Sequence, residues 1–233
     1  MNYVILNGEK STAVQGLLIQ ELPPISKPQV RSNIETIDGR DGDIVTKLGY
    51  AAYDKQLLIG LYGNYNIDEV IGYFDSEGTV TFSNEPDKYY RYAIYNQIDF
   101  ERLIRFRKAT VTLHVQPFKY SLSESKIGHA IKNNSEVQVN NSGNILSKPV
   151  LTLTGSNTCE VYLNNSQAFS IDLAINDTIT IDTDAMEAYT GTTLRNRIVT
   201  GSYENLYLPP GVNILKFTGS ATNCIIENYS RWV

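Results

Sequence analysis

Hydrophobic and polar residues alternate along several stretches of the first half of the chain. β-Branched and aromatic side chains take every second position there, which is the period of a strand with one buried face. Five stretches follow this pattern: Tyr3–Leu6, Gln56–Tyr62, Thr79–Phe82, Tyr89–Phe100 and Ala109–Phe118. We predict that each of them forms a strand.

One stretch in this half has the period of a helix instead. Its apolar residues fall on one helical face, at Ile67, Val70, Ile71 and Phe74. Asn66, with Glu69 three positions later, has the pattern of a capping box, and Gly78 is a typical helix stop. The first half is therefore predicted to be a β domain that carries one short helix.

A long segment without periodicity, Glu21–Ile44, lies between the first predicted strands. It contains Pro23, Pro24 and Pro28, followed by the turn-like sequence Asp38–Asp43. The segment is compatible with a long surface loop that ends in a tight hairpin. It is also compatible with an arm that reaches a neighbouring subunit, because loops of this length within compact domains are usually functional. The sequence leaves both interpretations open.

The composition changes after Tyr120. Residues Lys126–Ser147 are rich in asparagine and serine, as expected of a domain boundary followed by a first, exposed strand. We place the junction near residues 121–135, which gives domains of residues 1–125 and 126–233. Short strands bounded by Asn, Gly and Ser follow: Val150–Thr154, Glu160–Leu163, Ala168–Leu173, Thr178–Ile181, Arg195–Val199, Ile214–Phe217 and Cys224–Tyr229. About seven such strands are typical of an antiparallel β-sandwich.

Composition and charge exclude several classes of protein. Apolar residues make up 42% and charged residues 19% of the 233-residue chain, a globular balance. The net charge is −5, and no run of Lys and Arg could neutralise a row of phosphates, which argues against nucleic-acid binding. The start of the chain lacks the features of a signal peptide, and no window approaches the roughly 18 apolar residues that span a bilayer. We expect a soluble protein without a secretion signal or membrane contact.

Tyrosine and arginine are interleaved along Tyr89–Tyr95. Such a strand suits a semi-polar protein interface, because each side chain has a large apolar body and a polar tip. It equally suits a solvated sheet face with aromatic cross-strand pairs.

Residues that usually perform catalysis or bind metals are scarce. Cys159 and Cys224 are too few for a disulfide framework and have the wrong spacing for zinc, so we predict that both are reduced and buried. His114 lies within an alternating strand and, like His129, lacks metal-binding partners at a suitable spacing. The sequence contains none of the common hydrolase, metalloprotease, phosphate-loop or dinucleotide motifs.

Three acidic pairs are candidates for a glycosidase-like site, which needs only two carboxylates: Asp41 with Asp43, Asp172 with Asp177, and Asp182 with Asp184. The first pair lies in a glycine-rich turn and the last follows a strand, where aspartates commonly bond the local backbone. Calcium binding at Asp182–Asp184 lacks further oxygen ligands nearby in the sequence. We therefore predict no enzyme activity, no catalytic or metal-binding residues and no cofactor, and we assign no ligand-binding residues.

The second domain also has a composition that suits sugar binding. It is rich in Asn, Ser and Thr and contains the aromatic residues Tyr162, Phe169, Tyr203 and Tyr207. The single tryptophan, Trp232, lies next to the end of the sequence and is more simply explained by the packing of a last strand. A carbohydrate-binding β-sandwich that mediates host-surface attachment is accordingly the alternative function.

The order of several motifs resembles the distal tail protein (Dit) family of siphophages that infect Gram-positive bacteria. In the first half the motifs are the turn Gly39–Gly42, the strand Gln56–Tyr62, the helix that starts at Asn66, the turn Phe82–Tyr90 and the strand end Thr112–Tyr120. In the second half they are Asn141–Gly143, Lys148–Leu151, Ile179–Asp182, Pro210–Asn213 and the closing Arg231–Trp232. The resemblance covers nearly the whole chain.

The resemblance implies both a fold and a role. The fold would be mainly β: an N-terminal β-sandwich-like domain with one short helix and an extended hairpin arm at about residues 21–44, then a C-terminal galectin-like antiparallel β-sandwich. The protein would form a homohexameric ring at the virion tail tip, after synthesis and assembly in the bacterial cytoplasm. Its partners would be the major tail protein, a tail-associated or tape-measure protein, and receptor-binding or baseplate proteins. DNA would only pass through its channel, which suits a mildly negative chain.

Overall fold

The chain folds into two compact units, residues 1–122 and residues 123–232. The computed structural model describes residues 1–123 and 126–233. Both units are built from antiparallel strands, so the prediction of a mainly β protein is confirmed. No helix within the described residues is long and apolar enough to cross a membrane.

Unit 1, residues 1–122, has these elements in chain order: β1 (Val4–Leu6), β2 (Glu9–Lys10), a 3-10 helix (Ser11–Ala13), β3 (Leu17–Glu21), β4 (Val30–Thr36), β5 (Asp43–Tyr50), β6 (Tyr53–Leu61), α1 (Ile67–Phe74), β7 (Glu77–Phe82), β8 (Lys88–Ala93), α2 (Phe100–Phe106) and β9 (Lys108–Ser121).

Most strands of unit 1 form one sheet in the order β2-β1-β7-β8-β9-β6-β3, whereas β4 and β5 pair only with each other. Alternate residues of the central strands face the core, as their period-two pattern predicts. Leu57 and Ile59 of β6 and Val111 and Leu113 of β9 are fully buried. Lys55 lies on the same core-facing side of β6 as Leu57 and Ile59, and a charged side chain is unusual in such a buried position.

The predicted helix is present as α1. The Asn66 side chain accepts a hydrogen bond from the Asp68 backbone N–H at 3.1 Å, so the predicted N-terminus is confirmed. The predicted stop is wrong, because α1 ends at Phe74 and Gly78 lies in β7 with φ of +137°. Glycine is used there for a strand conformation that other residues rarely adopt.

The second helix, α2, was not predicted. The sequence pattern assigned Tyr89–Phe100 to one strand, but β8 ends at Ala93. Asp99 then caps a new helix by accepting a hydrogen bond from the Arg102 backbone N–H at 2.8 Å. Leu103 is the only buried residue of α2, and this seven-residue helix is too short for its apolar residues to establish a clear helical period.

The tyrosines of β8 do not share one face. Tyr90 and Tyr92 are 1% and 4% exposed and belong to the core, whereas Tyr95, beyond the strand, is 77% exposed. Tyr89 stacks on Tyr120 of the neighbouring strand with ring centroids 5.3 Å apart. Both interpretations of this segment missed that two of its tyrosines are core residues.

Unit 2, residues 123–232, has these elements: β10 (Ile127–Ala130), β11 (Ser135–Asn141), β12 (Val150–Leu163), β13 (Ser166–Asp182), β14 (Glu187–Thr190), β15 (Thr193–Leu194), 3-10 helices at Asn196–Ile198 and Tyr203–Leu206, β16 (Val199–Gly201), β17 (Gly211–Glu227) and β18 (Arg231–Trp232). Its main sheet has the order β10-β17-β12-β13-β14-β15, with β11 also on β17 and β16 also on β13.

Six of the short strands predicted in unit 2 are halves of three long strands. β12, β13 and β17 run for 14, 17 and 17 residues through segments that the sequence suggested were turns. Asn157, Asn176 and Gly219 have positive φ in these segments, and the register shifts beside them mark β-bulges. The bends let one sheet curl around a single core.

The predicted strand Arg195–Val199 is also wrong. Asn196–Ile198 form a 3-10 helix, and only Val199 begins a strand. The Asn196 side chain accepts a hydrogen bond from the Ala188 backbone N–H at 2.6 Å. That contact with the chain on the other side of the loop favours the turn over an extended strand.

Substitution of Gly219 tests how much the bulge at this position contributes to the stability of the curled sheet. Gly219 has φ of +82°, and a Cβ there would meet the Thr158 carbonyl oxygen. Gly211, on the same strand, has φ of +99° but open space. We expect Gly219→Ala to lower the free energy of unfolding by about 2 kcal/mol more than Gly211→Ala, because only Gly219→Ala adds a clash to the backbone strain. Urea unfolding measures both variants, and equal losses would contradict the expectation.

Candidate interaction site

The most exposed element of unit 1 is the hairpin formed by β4 and β5, residues 30–50, which we call the arm. Its strands pair from Val30 with Tyr50 to Thr36 with Asp43, and a turn that includes Gly39 and Gly42 joins them. Both glycines have positive φ, at +82° and +77°, which that turn requires. The predicted boundaries of 21–44 are therefore displaced, since the return strand continues to Tyr50.

The arm has no buried residue. Every residue from Arg31 to Asp43 is exposed, and two of them, Ile34 and Ile37, are large and apolar. Ile34 and Val45 are cross-strand partners and are 59% and 63% exposed, and Leu48, the extra residue of a bulge, is 58% exposed. A two-stranded ribbon with paired apolar side chains and two open edges is marginal alone and suits a contact with another protein.

The arm root, residues 22–29, is by contrast fixed to the body of unit 1. Consecutive carbonyl groups accept hydrogen bonds from side chains of unit 1: Pro23 from Asn84, in the turn after β7, at 3.1 Å, and Pro24 from Lys55 of β6 at 2.9 Å. Tyr50, at the base of the arm, packs edge-on against Phe118 with ring centroids 5.5 Å apart. The arm is thus an exposed ribbon on a firmly held base.

A buried charge cluster holds this root. Lys55, Glu85 and Lys119 are 3%, 8% and 9% exposed, and Glu85 pairs with Lys119 while it accepts a hydrogen bond from the Tyr90 hydroxyl at 2.8 Å. Burial lowers the pKa of the Lys55 ammonium, although the Glu85 carboxylate opposes this shift. Burial, followed by the Glu85 hydrogen bond, raises the pKa of Tyr90. The only signal in the sequence was a lysine at a core-facing position of an alternating strand.

Five of the six aspartates in the candidate acidic pairs make local contacts, and Asp41 lies exposed between β4 and β5. Asp43 accepts a hydrogen bond from Thr36 across the arm, and Asp172 accepts one from Thr158. Asp182 accepts from the backbone of the following turn, and Asp184 pairs with Lys148 at 2.8 Å. The Arg195 guanidinium, 2.6 Å from Asp177, lowers the pKa of that carboxyl.

No three His, Cys, Asp or Glu side chains of residues 1–123 and 126–233 are placed to hold a metal ion together. His114, on β9, is partly exposed, and its Nδ1 lies 2.8 Å from the carboxylate of Asp54, its cross-strand neighbour on β6. His129 lies on β10 opposite Cys224.

The prediction of two reduced, buried cysteines is confirmed, since Cys159 and Cys224 are free and fully buried. Burial raises the pKa of Cys159 and raises that of Cys224 to about 11. At pH 8 about one Cys224 thiol in a thousand is therefore ionised. We expect iodoacetamide at pH 8 to modify neither cysteine in the folded protein and both after denaturation, measured by mass spectrometry. Rapid modification of the folded protein would contradict this.

The aromatic residues considered for sugar binding are mainly structural. Phe169 is fully buried, and Tyr203 packs on it with ring centroids 5.7 Å apart. The Tyr162 hydroxyl bonds to Glu160 on its own strand at 2.9 Å. These side chains do not form an open stacking platform.

Residues 12–115 match the family model of the phage tail protein RIFT-related domain. The matched region begins in the first 3-10 helix, after β1 and β2, and runs through the arm and β6 into β9, so it includes both the arm and its root. No curated protein matches the chain at a significant level.

The whole chain also resembles solved structures of phage tail proteins. The Dit protein of phage SPP1, described as a paradigm of the hub adsorption apparatus in phages that infect Gram-positive bacteria, is 17% identical with a TM-score of 0.65. The alignment covers 98% of this chain and 99% of that one. A chain of the phage P2 baseplate in its activated conformation is 13% identical with a TM-score of 0.47, over 97% of this chain and 98% of that one. The resemblance to a distal tail protein is thereby confirmed at the level of the fold.

Proposed function

We propose that this protein is a non-enzymatic structural subunit of a phage tail hub. The observation that carries the proposal is the fold, which matches SPP1 Dit over nearly the full length of both chains with a TM-score of 0.65. The tail-protein domain at residues 12–115 supports the same role independently of the second unit.

The hub is a homohexameric ring in which the arm links neighbouring copies. The exposed arm on a fixed root supports this arrangement, because such a ribbon gains stability only when another surface covers it. The ring joins the major tail protein to a tail-associated or tape-measure protein and to receptor-binding or baseplate proteins at the virion tail tip. DNA passes through its channel, and the net charge of −5 suits a passage that does not retain phosphates.

The solution mass of the purified chain tests the proposal. We expect light scattering to give a mass near six subunits, and negative-stain images to show rings. A monomer at every concentration, even when mixed with its neighbouring tail proteins, would contradict the hub. In that case a glycan-binding assay would test the alternative role of host-surface attachment.

A further inference from the structure

The far end of the arm is acidic and partly apolar. Between residues 35 and 43, four carboxylates (Glu35, Asp38, Asp41 and Asp43) and one guanidinium (Arg40) give a formal charge of −3. Ile34, Ile37 and Val45 beside them are 59%, 47% and 63% exposed. All of these residues project from unit 1 without being buried by it.

A second exposed surface of unit 1 has the complementary character. Helix α2 and the residues around it, Asp99–Lys108, carry four basic and two acidic side chains, for a formal charge of +2. Ile104 and Phe106 on this surface are 43% and 66% exposed. We call it the α2 face.

The acidic side chains of the α2 face are already engaged. Asp99 caps the helix, and Glu101 pairs with Arg105 at 3.2 Å. The side chains of Arg102 and Lys108 make no ion pair with any part of the chain that the structure describes. Together they line an open groove of about 520 Å³ beside Phe106. Positive charge is therefore available at the edge of an apolar groove.

We propose that the acidic end of the arm of one copy docks on the α2 face of the next copy. This inference rests on the proposed ring and names the surface that receives the arm. The apolar residues Ile34 and Val45 would cover Ile104 and Phe106, while the carboxylates at the end of the arm pair with Arg102 and Lys108. Donor and acceptor surfaces differ, so each copy gives and receives one arm, which is the head-to-tail contact that closes a ring.

Charge reversal tests this contact in the full-length protein. One variant combines Asp38→Lys and Asp41→Lys, a second combines Arg102→Glu and Lys108→Glu, and a third carries all four changes. We expect each two-site reversal to raise the concentration of half-maximal assembly at least about tenfold, because like charges then meet. The four-site variant should regain assembly, since the charges are again complementary. Glu136→Lys with Glu204→Lys, exposed changes in unit 2, is the control for the first variant, because it changes the net charge by the same amount.

Cross-linking supplies a second measurement that does not depend on charge. A variant with Asp41→Cys and Lys108→Cys adds exposed thiols to a chain whose natural cysteines are buried. A short bismaleimide should then join separate copies into a ladder up to the hexamer. Rings that form normally in both reversals, or that give no ladder, would overturn the arm contact and leave the ring standing. Absence of assembly in the unmodified protein would overturn the ring itself.

Discussion

Replacing residues 31–49 by Asn-Gly is expected to abolish self-association while both units stay folded. Val30 and Tyr50 are directly paired, so a two-residue turn between them closes the shortened hairpin without moving its base. The removed residues are exposed or half-buried, whereas Tyr50 keeps its contact with Phe118 and the arm root keeps its hydrogen bonds. Little buried surface is lost within the subunit, so the melting temperature should change by only a few degrees.

The measurement is the mass by light scattering, together with the thermal unfolding midpoint. Ile34→Ser with Val45→Ser is the milder variant, which keeps the arm and its turn but removes the paired apolar side chains. It should weaken assembly without abolishing it. Unchanged oligomers after removal of the whole arm would contradict its role, and a large loss of thermal stability would show that the arm supports its own subunit.

A second large effect is expected at Glu85. Replacing it by Gln leaves the ammonium groups of Lys55 and Lys119 in the core without a counter-charge, since these residues are only 3% and 9% exposed. Removal of one partner from a buried ionic cluster costs about 3 to 5 kcal/mol of the free energy of unfolding. Urea or guanidinium unfolding measures the loss.

The loss at Glu85→Gln should shrink as the pH rises. Burial lowers the pKa of Lys55 in the folded protein below its ordinary value of 10.5. Between the folded pKa and this ordinary value, the unfolded chain binds more protons than the folded one. The free energy of unfolding therefore increases with pH in that window. Removal of the Glu85 charge should lower the pKa of Lys55 further and make this increase larger. A loss independent of pH would contradict this account.

Two further variants separate the charge cluster from ordinary substitution effects. Glu77→Gln changes an exposed carboxylate on β7 and should alter stability by less than about 0.5 kcal/mol. The double variant Glu85→Gln with Lys119→Met should recover part of the loss, because it removes both members of the buried pair. If Glu85→Gln lowered the free energy of unfolding no more than Glu77→Gln does, the buried cluster would not stabilise the folded protein.

The structural features that depend on residues close together in the sequence could be predicted from the sequence alone. Alternation identified the strands of unit 1 that face the core, and the Asn66 cap with its apolar spacing identified the start of α1. The proline-rich segment and its glycine turn identified an exposed element before any pairing was known. Each of these signals arises from contacts within a few positions, so a local pattern records it.

Other features were decided only by the tertiary structure, because their partners lie far away in the chain. Asparagine and glycine with positive φ suit both a turn and a bulge, and only the pairing across β12, β13 and β17 makes three continuous bent strands of six predicted short ones. Lys55, Glu85 and Lys119 come from separate strands and turns, so no local pattern could show that they share one buried site. The arm, likewise, is an extended hairpin because it pairs with itself and its root is held by Lys55 and Asn84, contacts that exist only once the sheet has formed.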